Sequence, residues 1–324
     1  MRSRFDIPQR LLIAVGGNAT HPEDIEGTSA QQAAIAKATA SALLPLTSLD
    51  NELVITHGNG PVVGKILMRQ VLTSDRIAPM PLDICVAHSQ GGIAYLLMQA
   101  IENSLREIDN ERHCAVLLTQ VEVDADDQAF KNPTKPIGAF YNEAEAMKIS
   151  EELGWLMKED AGRGWRHVVP SPKPKHICDV SLVQVLARRG TIVIAGGGGG
   201  IPVVRQANGV RRGVPAVIDK DMTSAHMANI IGIPVMMILT AVDRVAINYG
   251  KPSEQLLDRV PMSELKRYRQ ENQFPEGSMG PKMDAAIRFI ESGGERVVIC
   301  RMEDALPALR GETGTQIMSD NAFD

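Results

Sequence analysis

TIVIAGGGGGIP, Thr191 to Pro202, joins a run of strand-forming residues to five consecutive glycines, Gly196 to Gly200. Glycine loses more chain freedom on folding than any other residue. Such a run directly after a buried strand is either a slack linker or a place where backbone comes very close to something. The rest of the chain repeats the arrangement. LLIAV (11–15) runs into Gly16-Gly17-Asn18, and ELVITH (52–57) runs into Gly58-Asn59-Gly60. CAVLLTQV (114–121), PVMMILT (234–240) and RVVIC (296–300) are further apolar runs ending in small or polar residues. Unbroken Val/Ile/Leu runs suit strands covered on both faces, as in parallel sheets. Helical spacing fills the intervals at 29–46, 62–72, 91–108, 180–190, 224–232 and 281–294, the last stopping at Gly293-Gly294. The alternation predicts an α/β sandwich around a mostly parallel sheet.

The 324 residues fit one large α/β unit or two modest domains. With 44% hydrophobic and 23% charged residues, the chain can bury a sizeable core. A net charge of −5 argues against a nucleic-acid partner while leaving room for a local lysine cluster. Cys85, Cys114, Cys178 and Cys300 show no metal-like spacing and read as reduced, buried thiols of a cytoplasmic protein. MRSRFDIPQR at positions 1–10 has no apolar core of leader length, and no apolar stretch is read as a bilayer span, so no membrane partner is expected. Residues 122–175, rich in Asp, Pro, Lys and Gly, break the alternation and read as a protruding lobe or lid.

Ligands of open parallel sheets sit beyond the carboxyl ends of the strands. Three glycine clusters fall there, and Gly91-Gly92 is read as opening a helix. Bared backbone N–H groups beside helix N-termini suit phosphate-like oxygens. There is no GxxxxGK[ST] stretch and no GxGxxG set between strand and helix with an acidic partner, which removes a P-loop and disfavours a dinucleotide dehydrogenase. Lys135 in PTKP, Lys220 in IDKD and Lys282 in GSMGPK stand in contexts that suit fixed loops. Phosphoryl transfer needs such cations, since its catalysis is mostly positioning and charge stabilisation. Asp219 and Asp221 flank Lys220 and could orient lysines or hold Mg²⁺ through water. Asp221 is expected both to cap the following helix and to orient. His57 and His88 sit beside glycine-rich turns, where a packed histidine is expected over a general base.

IAVGGNA (13–19), VITHGNGPVVG (54–64), SQGGIAY (89–95), FKNPTKPIGAFY (130–141), EDAGRGWRHVVPSPKP (159–174), IAGGGGGIPVV (194–204), VIDKD (217–221), TAVDRVAINYGKP (240–252) and GSMGPK (277–282) together resemble the carbamate kinases, in colinear order over nearly the whole chain. The resemblance implies a single amino-acid kinase domain, 1–324: a three-layer α/β/α sandwich with an open, mostly parallel central sheet. It implies an acceptor-binding half at 1–190 with the lid at 122–175, and a nucleotide-binding half at 191–324. It implies a cytoplasmic homodimer that transfers a phosphoryl group reversibly between ATP and carbamate, with Mg²⁺ accompanying the nucleotide and no metal held by the protein. In cells the direction would be toward ATP, at the end of arginine or purine-derived ureide breakdown. Carried over by motif, Gly16, Gly17 and Asn18 with Gly58, Asn59 and Gly60 would line the transferring phosphoryl group. Lys135, rather than Lys131, would reach in from the lid. Lys220 and Lys282 would neutralise phosphates, with Asp221 holding them. Gly196, Gly197, Gly198 and Gly199 would open the nucleotide side, bordered by Thr240, Asp243 and Tyr249.

Acetylglutamate-type kinases carry a lysine just before the first glycines, where this chain has Ala14. Ala139, Val86, His88 and Ala94 depart from the usual carbamate kinase pattern, so a paralogue with another carboxylate acceptor stays open beside an inactive nucleotide-binding regulator. Lys220→Ala is expected to lower kcat by about 10²–10³ and leave the fold intact.

Overall fold

The computed structural model describes residues 5–17, 20–22, 25–160, 162–275 and 277–323. Eight strands form the central sheet in the order Arg259–Pro261, Thr315–Met318, Arg296–Cys300, Val235–Leu239, Arg10–Val15, Glu52–His57, Ile192–Ala195 and Cys114–Leu117. All neighbours are parallel except Arg296–Cys300 against Thr315–Met318. Side chains alternate across a strand, and here the alternation feeds two cores. Leu12, Ala14, Val54, Met236 and Ile238 enter one, with helices Val180–Arg188, Lys220–Ile231, Met262–Gln270 and Met279–Glu291. Leu11, Ile13, Val15, Leu53, Ile55 and Met237 enter the other, with helices Ser29–Thr47, Leu82–Arg106 and Ala305–Leu309. The result is three layers, α/β/α.

The strand ahead of the glycine run lies between Glu52–His57 and Cys114–Leu117, both early in the chain. Because these strands are parallel, Gly16, Gly58, Gly196 and Thr240 all emerge on one edge of the sheet.

Residues 135–169 carry the expected lobe. Strands Lys135–Tyr141, Trp165–Val169 and Met157–Glu159 form an antiparallel sheet, and helix Glu143–Leu153 starts from a capping box of Asn142 and Glu145. The flanks of the 122–175 segment belong to a second small sheet, in which Gln120–Glu122 pairs with Ile201–Arg205 and with His176–Ile177. The lobe is seated by a third cluster in which Ile137 and Val169 meet Val63, Leu82, Cys85, Val86 and Val217. Gly64 crosses close over Gly138, where a Cβ on Gly64 would stand 2.1 Å from the Gly138 Cα.

Two expectations need correction. Gly91-Gly92 does not open a helix: the helix begins at Leu82, and the pair lies inside it. That helix, Leu82–Arg106, is long and apolar enough to cross a bilayer by length and composition, although no such stretch was read from the sequence. Half of its most apolar window is buried in the protein, and Ser89, Gln90 and Ser104 are among its buried residues, as in a core helix.

Candidate active site

The sheet edge is built by close contacts between glycine turns. The Gly58 amide donates to the Val15 carbonyl at 3.0 Å, and a Cβ on Gly58 would stand 3.0 Å from the Gly17 nitrogen. A Cβ on Gly16 would stand 2.9 Å from the Leu239 carbonyl oxygen, so the first turn also abuts the strand that ends at Thr240. Asn18 lies outside the described residues.

The five-glycine run is wholly buried. Its glycines are required chiefly by protein neighbours. A Cβ on Gly197 would fall 2.2 Å from His57 Nε2, on Gly198 2.2 Å from Asn59 Nδ2, and on Gly199 2.2 Å from the Ile218 carbonyl oxygen. The amide of Gly196 donates to Thr119 Oγ1, that of Gly199 to the Gly196 carbonyl and that of Gly200 to the Gly197 carbonyl. The explanation that these glycines serve to bare amides toward phosphate therefore does not hold for Gly196, Gly199 or Gly200. The run lets two loops and a helix start pack within van der Waals range.

Polar side chains fix this packing, and apart from Asn59 none of them was singled out from the sequence. Gln90 donates Nε2 to the Gly197 carbonyl at 2.8 Å, and its Oε1 accepts from the Thr119 amide at 2.7 Å. Asn59 donates to Ser89 Oγ at 2.9 Å. Thr223 Oγ1 donates to the Gly199 carbonyl at 2.8 Å, and the Thr56 and Ser224 hydroxyls are 2.7 Å apart. These bonds tie helix Lys220–Ile231 to the sheet edge. Only the SQGG spelling hinted at Ser89 and Gln90. Val86 and Ala94, by contrast, are core residues, and His88 is exposed on the outer face of the same helix.

Lys220 is not on a loop. It is the first residue of its helix and 8% exposed. The expected cap is also one carboxylate out. Asp219, with extended backbone, is the N-cap: its Oδ1 accepts from the Asp221 amide at 2.9 Å and the Met222 amide at 3.3 Å. Asp221, within the first turn, holds the cations instead. Its Oδ1 pairs with Lys220 Nζ, and its Oδ2 accepts from Lys282 Nζ at 3.0 Å. Lys282 comes from the first turn of helix Met279–Glu291. Lys135 closes the group from the lobe, with Nζ 2.5 Å from Asp219 Oδ2. Lys131 is exposed at the end of a short helical turn. Three ammonium groups from three separate segments are thus gathered around two carboxylates at one helix start.

The electrostatics follow from burial. Burial works to raise the Asp221 carboxyl, but Lys220 and Lys282 overcome it and hold the group below the usual carboxylate range. Asp219 is likewise lowered, burial opposing and Lys135 prevailing. Burial pulls Lys220 down against the attraction of Asp221. In Lys282 burial also pulls down, yet Asp221 and Asp219 raise it overall. His57 is driven by burial to about 4, with Nδ1 against the Gly58 carbonyl at 3.0 Å, so its imidazole is neutral.

Thr240, half-buried, follows the strand beside Arg10–Val15, its amide bonded to the Cys300 carbonyl at 2.9 Å. Asp243 is half-buried in the next turn, and Tyr249 is 69% exposed at the tip of the hairpin Val245–Ile247/Gln255–Leu257. Neither is bonded to the lysine–aspartate group among the described residues. Glu122, His176 and Cys178 bring potential metal-ligand atoms within 4.8 Å of one another, a grouping the sequence spacing did not show. Glu122 is already in ion pairs with Arg205 and Arg211, which leaves that site poorly disposed to a cation.

The profile of the amino acid kinase family matches residues 9–301. A carbamate kinase of Pyrococcus horikoshii is 45% identical over 313 residues, spanning 96% of this chain and 99% of that protein. Carbamate kinase from Giardia lamblia bound to citric acid superposes with a TM-score of 0.92 at 38% identity, over 97% of this chain and 99% of that one. The same enzyme bound to AMP-PNP gives 0.86 at 39% identity, with the same coverage.

Proposed function

The chain belongs to the amino acid kinase family, and we propose that it is a carbamate kinase, a phosphotransferase that interconverts ATP plus carbamate with ADP plus carbamoyl phosphate. The observation that carries this reading is the meeting of Lys135, Lys220 and Lys282 around Asp219 and Asp221 beside the glycine edge of the sheet. Carbamate kinases of Pyrococcus horikoshii and Thermococcus kodakarensis, 45% and 46% identical over 96% of the chain, support it.

In the forward direction a carbamate oxygen attacks the γ-phosphorus, the bond to the β–γ bridging oxygen breaks, and that oxygen leaves with ADP. The attacking oxygen is already ionised, so no general base is required. A neutral, buried His57 suits that chemistry. The obstacle is repulsion between anions, which ammonium groups and fixed N–H donors offset. In this reading Lys220 and Lys282 meet the phosphates of the nucleotide, Lys135 meets the transferring group from the acceptor side, and Asp221 keeps the first two aimed. Gly16, Gly17, Asn18, Gly58, Asn59 and Gly60 line the phosphoryl position. Gly197 and Gly198 supply the nearest part of the glycine run, and Thr240, Asp243 and Tyr249 border the nucleotide. Asp219 and Asp221 are both engaged by lysines, so they fit a Mg²⁺ that arrives on phosphate oxygens better than one caged by carboxylates. The ion would supply further positive charge to the phosphates.

We also read residues 1–190 as the acceptor side, 191–324 as the nucleotide side and the enzyme as cytoplasmic, consuming carbamoyl phosphate to make ATP in arginine or ureide breakdown. A homodimer is part of the same reading, with the exposed Ile84, Tyr95 and Leu118 as the candidate contact. Light scattering of the wild type and of Tyr95→Arg tests that contact. The function itself is tested by coupled detection of ATP formed from carbamoyl phosphate and ADP. Turnover only with a different acyl phosphate would replace the acceptor, and bound ADP without turnover would remove the activity.

A further inference from the structure

Lys135 is a long, flexible side chain on the first residue of a lobe strand, and its side chain is 28% exposed. Nothing about the lobe alone would keep its ammonium in one place. Its partner is different in kind. Asp219 is pinned by the helix it caps, because Oδ1 accepts from two backbone amides of the first turn. The remaining oxygen, Oδ2, is thereby held at a set position, 2.5 Å from Lys135 Nζ. That position is two residues along the chain from Asp221, the carboxylate that gathers Lys220 and Lys282.

We propose that Asp219 is a positioning residue for Lys135: one carboxylate both caps helix Lys220–Ile231 and holds the lobe's ammonium in register with the lysine pair on Asp221. The proposal rests on the carbamate kinase reading for its catalytic consequence only. An ammonium has three donors. Lys135 can keep Asp219 and still donate to a phosphoryl oxygen, so the pair reduces the freedom lost when substrate arrives instead of competing with it. A second contact places the lobe over the same region, since a Cβ on Gly277, ahead of the Lys282 helix, would stand 3.1 Å from Asp160 Oδ1.

Asp219→Asn separates the two duties, since asparagine caps as well as aspartate but carries no charge. In the full-length enzyme, the variant should melt close to the wild type and lose about 10–100-fold in kcat with carbamoyl phosphate and ADP. In a Lys135→Met background the same substitution should cost less than about 3-fold, because the group it positions has gone. An equal fold-cost in both backgrounds overturns the proposal. A readout independent of turnover is limiting acetylation of the unliganded protein, with each lysine quantified by mass spectrometry. Lys135 should label several-fold faster in Asp219→Asn while exposed Lys131 is unchanged, and unchanged labelling of Lys135 overturns the proposal. A wild type that turns over no acyl phosphate would instead sink the functional reading, and the labelling would still decide whether Asp219 holds Lys135.

Discussion

Replacing Asp221 by asparagine removes one charge and almost no volume from a group that is 2% exposed. The wild-type carboxylate has Lys220 on one oxygen and Lys282 on the other. The amide can accept from only one of them and turns an NH₂ toward the second. Two ammonium groups, both largely out of water, then lack a counter-ion. Breaking a buried ion pair in this way costs about 3–5 kcal/mol. At about 2 °C per kcal/mol for a chain of this size, the melting point should fall by roughly 6–10 °C. Turnover should drop by about 10²–10³, because the two cations proposed to meet the phosphates would lose their aim together. A pH series supplies the signature. Without Asp221, Lys220 and Lys282 should titrate below their unfolded value in the folded variant. Between that lowered value and about 10.4 the unfolded chain binds more protons, so the variant should gain stability relative to the wild type as pH rises from about 8 to 10. Thermal melts across that range and a coupled ATP assay measure both effects. A variant melting within about 2 °C of the wild type, with near-normal turnover and no pH-dependent recovery, would refute the assignment of Asp221 as the shared counter-ion.

Gly64→Ala should lower kcat by about 10²-fold and stability by about 1–3 kcal/mol, because its Cβ meets Gly138 backbone and must lift the strand that carries Lys135; kinetics and denaturant melts read the two effects. Wild-type stability should fall as pH drops from 6.5 toward 4. Folded His57, lowered by burial to about 4, stays neutral while the unfolded imidazole protonates, a loss of about 3 kcal/mol over the window. His167, also driven by burial to about 4, adds in the same direction, and His57→Asn should flatten the slope in urea melts at stepped pH. Arg112→Met should cost about 2–4 kcal/mol with kcat unchanged. The guanidinium bonds the carbonyls of Thr47, Leu49, Asn51 and Gly190, ahead of strands whose far ends carry the glycine turns, and methionine leaves them unpaired.

Local composition made much of this molecule readable. Unbroken apolar runs such as LLIAV and TIVIA announce strands covered on both faces, and the structure puts their alternate residues into two separate cores. Of the two lysines weighed for the lid, the structure brings Lys135, in the PTKP context, against Asp219, while Lys131 is exposed. The misreadings share a cause. Whether Asp219 or Asp221 caps depends on where the backbone leaves the extended region, a matter of two residues that three alternating charges cannot signal. The steric demand on four of the five glycines comes from His57, Asn59, Ile218 and Val121, facing Gly197, Gly198, Gly199 and Gly200 in turn, which only tertiary structure brings against them. Nothing in the sequence marked the duties of Gln90 and Thr223, since what they bond is the backbone of a glycine loop distant in sequence.

Charge counting explains why such a site needs the glycine edge as well as its lysines. Lys135, Lys220 and Lys282 face Asp219 and Asp221, so three cations against two anions leave one net positive charge. Carbamoyl phosphate and ADP together bring several negative charges. One surplus cation cannot balance them, and adding buried lysines without partners would cost more stability than it returned. The structure gives each lysine an aspartate partner before substrate arrives, and in the proposed reading those amides of the neighbouring glycine turns that the protein leaves unbonded would add partial positive charge at no desolvation cost comparable to an ion's. In the proposed reading the remaining balance would fall to a divalent cation travelling with the nucleotide. On this reading the aspartates set where the lysines stand, and Asp219→Asn and Asp221→Asn should disturb aim before they disturb affinity.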